Sequence, residues 1–127
     1  NITHILNVAH ECQNYFPDKF KYMKIHAEDT VSYNIKKDFE EAIEFIKEAR
    51  NQGGNVLVHC IQGMSRSASI VLAYLMKEHN MTLKEAWELL KEKRPIIRPN
   101  MFFSVQLLEY ELSLFGKNSM EQSHFYK

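Results

Sequence analysis

Cysteine is scarce in this chain. Its 127 residues include two, Cys12 and Cys60, which can close one bridge at most. A disulfide framework is excluded, and a reducing compartment, the cytoplasm or nucleus, is expected. No Cys-x-x-Cys or His-x-x-x-His spacing occurs, which speaks against a zinc site; no metal or other cofactor is expected. An excess of charge is lacking too, because 16 basic residues balance 16 acidic ones. No general attraction to nucleic acid or to an anionic membrane is therefore expected, and any affinity for phosphate has to be local. Long apolar runs are absent. The longest strictly apolar one, Ile70 to Met76, is far too short to span a bilayer. The start shows no secretory pattern, and there is no internal repeat or low-complexity stretch. Residue 1 is Asn, as expected of a domain cut from a longer chain.

What remains is an ordinary globular composition, 45% hydrophobic and 25% charged, at a length that suits one domain with a single core. Ile5 to Val8 and Phe20 to His26 read as short buried strands, and Val56 to His59 as the strand that leads into Cys60. Phe39, Ala42, Ile43, Ile46 and Ala49 fall on one helical face, closed by Gly53 and Gly54. Residues 66–79 are apolar on most sides, which predicts a central buried helix. Thr82 and Glu85 form a capping box opening another helix, with Ala86, Leu89 and Leu90 inward, and Pro95 ends it. A last helix opens at Asn100 or Met101, with Val105, Leu108 and Leu112 inward, and stops at Gly116. This bounds a domain over 1–116, followed by a polar tail, 117–127, expected to be loose. Strands mixed with helices predict an α/β layer structure.

One segment carries the chemistry. Val56 to Val58 leads into His59 and Cys60; Arg66 and Ser67 follow, and then the apolar helix begins. Strand, thiol, tight loop, guanidinium and helix N-terminus in that order suit a phosphate dianion. Backbone N–H groups converge on it, the helix dipole favours negative charge, and Arg66 offers a planar fork for two oxygens. The same positive environment favours the thiolate of Cys60, the form that attacks. Gly63 lets the loop turn toward the phosphate with no Cβ in the way. Each residue also has a structural explanation. Cys60 could be a core cysteine, Arg66 a surface ion-pair partner, Ser65 and Ser67 helix caps, and His59 a hydrogen-bonded core histidine.

His59-Cys60-x5-Arg66-Ser67 resembles the active-site loop of the protein tyrosine phosphatases. Val58-His59-Cys60, Gly63, Ser65-Arg66-Ser67 and Ala73-Tyr74-Leu75-Met76 resemble the dual-specificity branch in particular. Ile2 to Val8, the segment around Asp29, Asn34-Ile35 and Arg94-Pro95 through Pro99-Asn100 fit the same branch. The resemblance covers roughly residues 1 to 115. It implies a mostly parallel sheet flanked by helices on both faces, with a further strand and helix before residue 1. It also implies a two-step reaction through a phosphocysteine on Cys60. The phosphate-binding loop would be His59, Cys60, Ile61, Gln62, Gly63, Met64, Ser65 and Arg66, with Arg66 stabilising the transferring phosphoryl group. Ser67 would donate to the Cys60 sulfur. Asp29 would be the general acid, although the residues alone do not separate it from Glu28. His59 would order the loop and Asn100 would brace it, while Asn100 is equally good as a helix cap. Many relatives carry glycine where this chain has Phe102. Cys12 reads as structural, a redox partner role requiring proximity to Cys60.

Ile61, Gln62 and Met64 are not basic, which argues against an inositol lipid with its extra phosphates. A phosphoprotein is the expected substrate, on tyrosine and on serine or threonine, and a mitogen-activated protein kinase is a candidate. Two other readings remain: a catalytically silent phosphoprotein-binding module, and a redox or arsenate-reducing enzyme that needs a second thiol near Cys60.

Overall fold

The computed structural model describes residues 1–9, 11, 13, 14, 16, 18–61 and 65–126. Three strands form a wholly parallel sheet: β1 (His4–Asn7), β2 (Lys21–Lys24) and β3 (Val56–His59), in the order β2-β1-β3. The register brings the carboxyl ends level, because Asn7 pairs with Lys24 on one side and His59 on the other. The connections that follow all three strands therefore leave at one end. All four β1 residues are buried. Successive side chains point to opposite faces, so both faces of the central strand are covered. The fold is an α/β layer structure, as the sequence predicted.

A 3-10 turn, Ile35–Asp38, feeds α1 (Phe39–Asn51). Its buried residues are those expected: Phe39, Ala42, Ile43, Ile46 and Ala49. Gly54 then lets the chain pass close to β1, where a Cβ would collide with Thr3 Oγ1. The helix α2 (Ser65–His79) packs against α1, α3 and α4 and is buried along its first six residues, Ser65 to Ile70. The capping box at Thr82 forms, with Thr82 Oγ1 accepting from Glu85 N and Glu85 Oε1 from Thr82 N. It opens α3 (Leu83–Lys93). Asn100 caps α4 (Met101–Phe115), which ends at Gly116 with φ of 76°.

Four sequence expectations are corrected. The strand expected as buried over Phe20 to His26 is β2, Lys21–Lys24, which is exposed at Lys21 and half-buried beyond it. In α4 the buried residues are Phe103, Ser104, Gln106, Leu107, Tyr110 and Glu111, while Val105 and Leu112 are exposed and Leu108 is half-buried. This helix is apolar on nearly every side, so its pattern offers competing stripes, and the one that faces inward carries polar residues satisfied at long range. Gln106 accepts from Lys36 N at 2.8 Å and donates to Tyr33 O at 3.0 Å. In α3, Ala86 is buried as expected, but Leu89 is exposed, Leu90 is half-buried, and Trp87 fills the core. The tail is not loose. A 3-10 turn, Gln122–Tyr126, buries Phe125 against Trp87, and Glu111 accepts from Asn118 Nδ2, Ser119 N and Ser119 Oγ. Cys12, Gln62, Gly63 and Met64 lie outside the described residues.

Candidate active site

Cys60 follows the last residue of β3, at the carboxyl edge of the sheet where open α/β folds bind ligands. Its sulfur accepts the backbone N–H of Ser67 at 3.4 Å and lies 3.3 Å from Ser67 Oγ and 3.3 Å from the Ile61 carbonyl oxygen. Ser67 sits in the first turn of α2, so the sulfur is held at the positive end of a 15-residue helix. Ser67 thus contacts Cys60 with both its hydroxyl and its backbone. His59 is half-buried. Burial pushes its imidazole below the ordinary histidine value, against a smaller upward pull from a hydrogen bond with the Cys60 backbone. The neutral ring is therefore favoured next to the loop.

Arg66 is almost fully buried. Its Nη1 donates to Glu11 Oε1 at 2.7 Å and to the Ala27 carbonyl at 3.1 Å, and its Nη2 donates to Glu11 Oε2 at 3.0 Å. Burial alone would lower its pKa, but the hydrogen bonds and charge of Glu11 outweigh this and raise it, with Cys60 and Asp29 adding smaller contributions. A guanidinium has five N–H donors in a fixed plane. Glu11 takes the end-on pair and Ala27 the remaining Nη1 proton. The Nε–H is buried with no acceptor among the described residues. It lies beside the second Nη2 proton, and together they make a side-on fork suited to two oxygens.

Glu11 is a site residue that the sequence reading missed. It lies in the connection after β1, and Asn7 helps to set that connection by accepting from Ala9 N at 3.2 Å. The available clue was topological. In a parallel sheet, the turns after β1, β2 and β3 share one end, so an acid soon after β1 faces the ligand edge.

Asp29 follows β2 at the same end of the sheet and is exposed. Its Oδ1 accepts from Asn100 Nδ2 at 3.0 Å, and the same Nδ2 donates to Thr30 O at 3.1 Å. Asn100 Oδ1 accepts from Phe103 N at 2.8 Å, so this residue caps α4 as well. Its expected role shifts. The Asn100 side chain braces the Asp29–Thr30 loop, and its backbone N–H makes the link to the start of α2, donating to Ser65 Oγ at 2.7 Å. Asp29, Ser65 and Asn100 line one groove, which Glu28 does not join.

A parallel sheet delivering a thiol to a helix N-terminus, with a clamped guanidinium and a braced aspartate beside it, defines a protein tyrosine phosphatase-like site. The chain belongs to the dual specificity phosphatase catalytic domain family, whose sequence model matches residues 1–113. It is 47% identical over 114 residues to Dual specificity protein phosphatase 1 of Arabidopsis thaliana, covering 90% of this chain and 58% of the relative. It is also 47% identical over 123 residues to MAP kinase phosphatase with leucine-rich repeats protein 3 of Dictyostelium discoideum, covering 96% of this chain and 14% of that one. The crystal structure of DUSP15 superposes with a TM-score of 0.82 at 40% identity, covering 87% of this chain and 70% of the other. The chain thus spans 58% of the length of the first of these relatives and a small part of the second.

Proposed function

We propose that this chain hydrolyses phosphate monoesters on phosphoproteins, on tyrosine and on serine or threonine, through a phosphocysteine on Cys60. The observation that carries the proposal is the Cys60 sulfur held by Ser67 at the start of α2, with the adjacent Arg66 keeping a buried Nε–H that has no acceptor among the described residues. In the first step the thiolate attacks phosphorus, the P–O ester bond breaks, and Asp29 gives its proton to the leaving oxygen. Arg66 binds two equatorial oxygens with Nε–H and Nη2–H and stabilises their growing charge. In the second step the Asp29 carboxylate takes a proton from water as the water oxygen attacks phosphorus. The S–P bond breaks, and the Ser67 hydroxyl donates to the departing sulfur. His59 and Asn100 are positioning residues.

Both half-reactions need a reduced sulfur, which suits the cytoplasm or nucleus. Among phosphoproteins we favour a mitogen-activated protein kinase, since the Dictyostelium relative is named as a phosphatase of such kinases. The test is phosphate release, in EDTA, from a phosphotyrosine peptide and a doubly phosphorylated Thr-x-Tyr peptide, with Cys60→Ser as control. Release from both is expected, inhibited by vanadate and lost in Cys60→Ser, which still binds peptide. Turnover retained by Cys60→Ser would refute the nucleophile assignment. Peptide binding without release by the unaltered chain would support the silent-module reading instead.

A further inference from the structure

Beyond the reacting groups, the groove that holds Asp29, Ser65 and Asn100 continues across the surface to a volume of about 730 Å³. Its walls combine two features that suit a polypeptide. Val31, Ile96 and Met101 are apolar yet 71%, 78% and 63% exposed. Lys91 and Arg98 stand along the same groove, and neither has a carboxylate partner among the described residues. Lys91 lies over the Trp87 ring, its Nζ 5.4 Å from the centroid. Exposed apolar surface flanked by cations without a carboxylate partner favours an occupant that is apolar in part and negatively charged.

Arg98 is also oriented. Its guanidinium lies 5.4 Å from the centroid of the Tyr126 ring. Tyr126 itself is fixed, its hydroxyl 3.2 Å from Ser104 Oγ and 3.4 Å from the Pro99 carbonyl, with the adjacent Phe125 buried on Trp87. Residue 126 lies past the stretch that the family model matches, 1–113. A wall of the groove is therefore built by a C-terminal turn outside that matched stretch. A guanidinium stacked on a ring keeps its outward N–H donors available while losing little side-chain freedom on binding.

We propose that this groove is the substrate-segment subsite and that Arg98, set by Tyr126 and assisted by Lys91, selects phosphoproteins with an acidic residue near the phosphorylated one. Val31, Ile96 and Met101 take the intervening apolar side chains. The proposal rests on the phosphatase reading and deepens it, naming what the same site accepts.

The experiment measures kcat/KM on phosphotyrosine peptides in which a single Glu is moved within about four residues on either side of the phosphotyrosine, each matched to a Gln peptide. A small aryl phosphate, which does not extend along the groove to Lys91 or Arg98, reports basal activity. The unaltered chain should favour Glu over Gln about threefold to fivefold on one side of the phosphotyrosine, the size of a partly exposed ion pair. Arg98→Gln should bring that ratio to near one and leave the aryl phosphate rate unchanged. Tyr126→Ala should weaken the preference, and Tyr126→Phe, which keeps the ring, should preserve it. A Glu preference that survives Arg98→Gln, or no preference at all, overturns the proposal. So does Arg98-dependent binding to phosphatidylserine vesicles in the absence of any peptide preference. If the aryl phosphate is not hydrolysed, the phosphatase reading has failed. The groove is then read from the affinity of the Glu and Gln peptides for Cys60→Ser, with and without Arg98→Gln, against the same criterion.

Discussion

Glu11→Gln isolates the contact that holds the Arg66 guanidinium. Arg66 is 3% exposed, and its tie across the fold is the bidentate pair with Glu11, supplemented by the Ala27 carbonyl. Glutamine keeps one acceptor oxygen, loses the charge and turns an NH2 toward a guanidinium nitrogen. Removing one partner of a fully buried pair costs about 3–5 kcal/mol, and an exposed pair is worth less than about 1. The Glu11 side chain is 41% exposed, so this pair falls between those limits, at roughly 1–2 kcal/mol. If that energy orients the side-on fork, kcat/KM should fall about fivefold to thirtyfold, with weaker vanadate inhibition. Thermal unfolding should register a loss of the same order. The assay is steady-state hydrolysis of an aryl phosphate with a vanadate titration. The opposite result is as informative. A rise in kcat/KM with tighter vanadate binding would mean that Glu11 competes with the substrate for Arg66, and the division of the guanidinium into a clamped end and an open side would be wrong.

Two further predictions follow from contacts elsewhere. Ser67→Ala removes the hydroxyl 3.3 Å from the Cys60 sulfur but keeps the backbone N–H at 3.4 Å. Attack should survive and breakdown of the phosphocysteine should slow by about tenfold to a hundredfold, the worth of one charge-assisted hydrogen bond. Rapid-quench kinetics should then show a burst of leaving group near one per site, and an unaltered time course would remove Ser67 from the second step. Glu111 is buried, and although burial raises its pKa, the hydrogen bonds from Ser119, Leu83 and Asn118 bring it below the ordinary carboxylate value. The stability it adds is present above the unfolded pKa of about 4.3 and is lost as pH falls through the lower native value. Glu111→Gln leaves buried donors unmet, so it should cost about 2–4 kcal/mol at neutral pH and flatten the acid limb of a denaturation curve. A variant as stable as the parent would show that the tail is not held by this carboxylate.

The features legible in the sequence are those with local causes. The strand Val56–His59 was bounded correctly because a β-branched run meets a loop at each end. The α1 face and the Thr82 box followed from periodicity and a cap written into neighbouring residues. Cys60, Arg66 and Ser67 were legible for the same reason, since thiol, guanidinium and helix N-terminus share one segment. Asp29 was placed by resemblance, and its brace by Asn100 is a contact between residues 71 positions apart. Glu11 meets Arg66 across 55 positions. No periodicity or capping rule reaches that far.

The error in α4 and the error in the tail have one origin. A helix hydrophobic on nearly all sides gives no orientation from its apolar residues, and its orientation is settled by the polar groups it buries. Gln106 faces inward because the backbone at Lys36 and Tyr33 satisfies both ends of its amide. Glu111 faces inward because Leu83, Asn118 and Ser119 supply donors. Once Glu111 points in, residues 118 and 119 must fold back to meet it, since a buried carboxylate without donors would cost several kcal/mol. That return starts the C-terminal turn that carries Tyr126 to the groove beside Asp29. A residue that looked misplaced on an apolar helix thereby connects the tail of the chain to the surface where a substrate would lie.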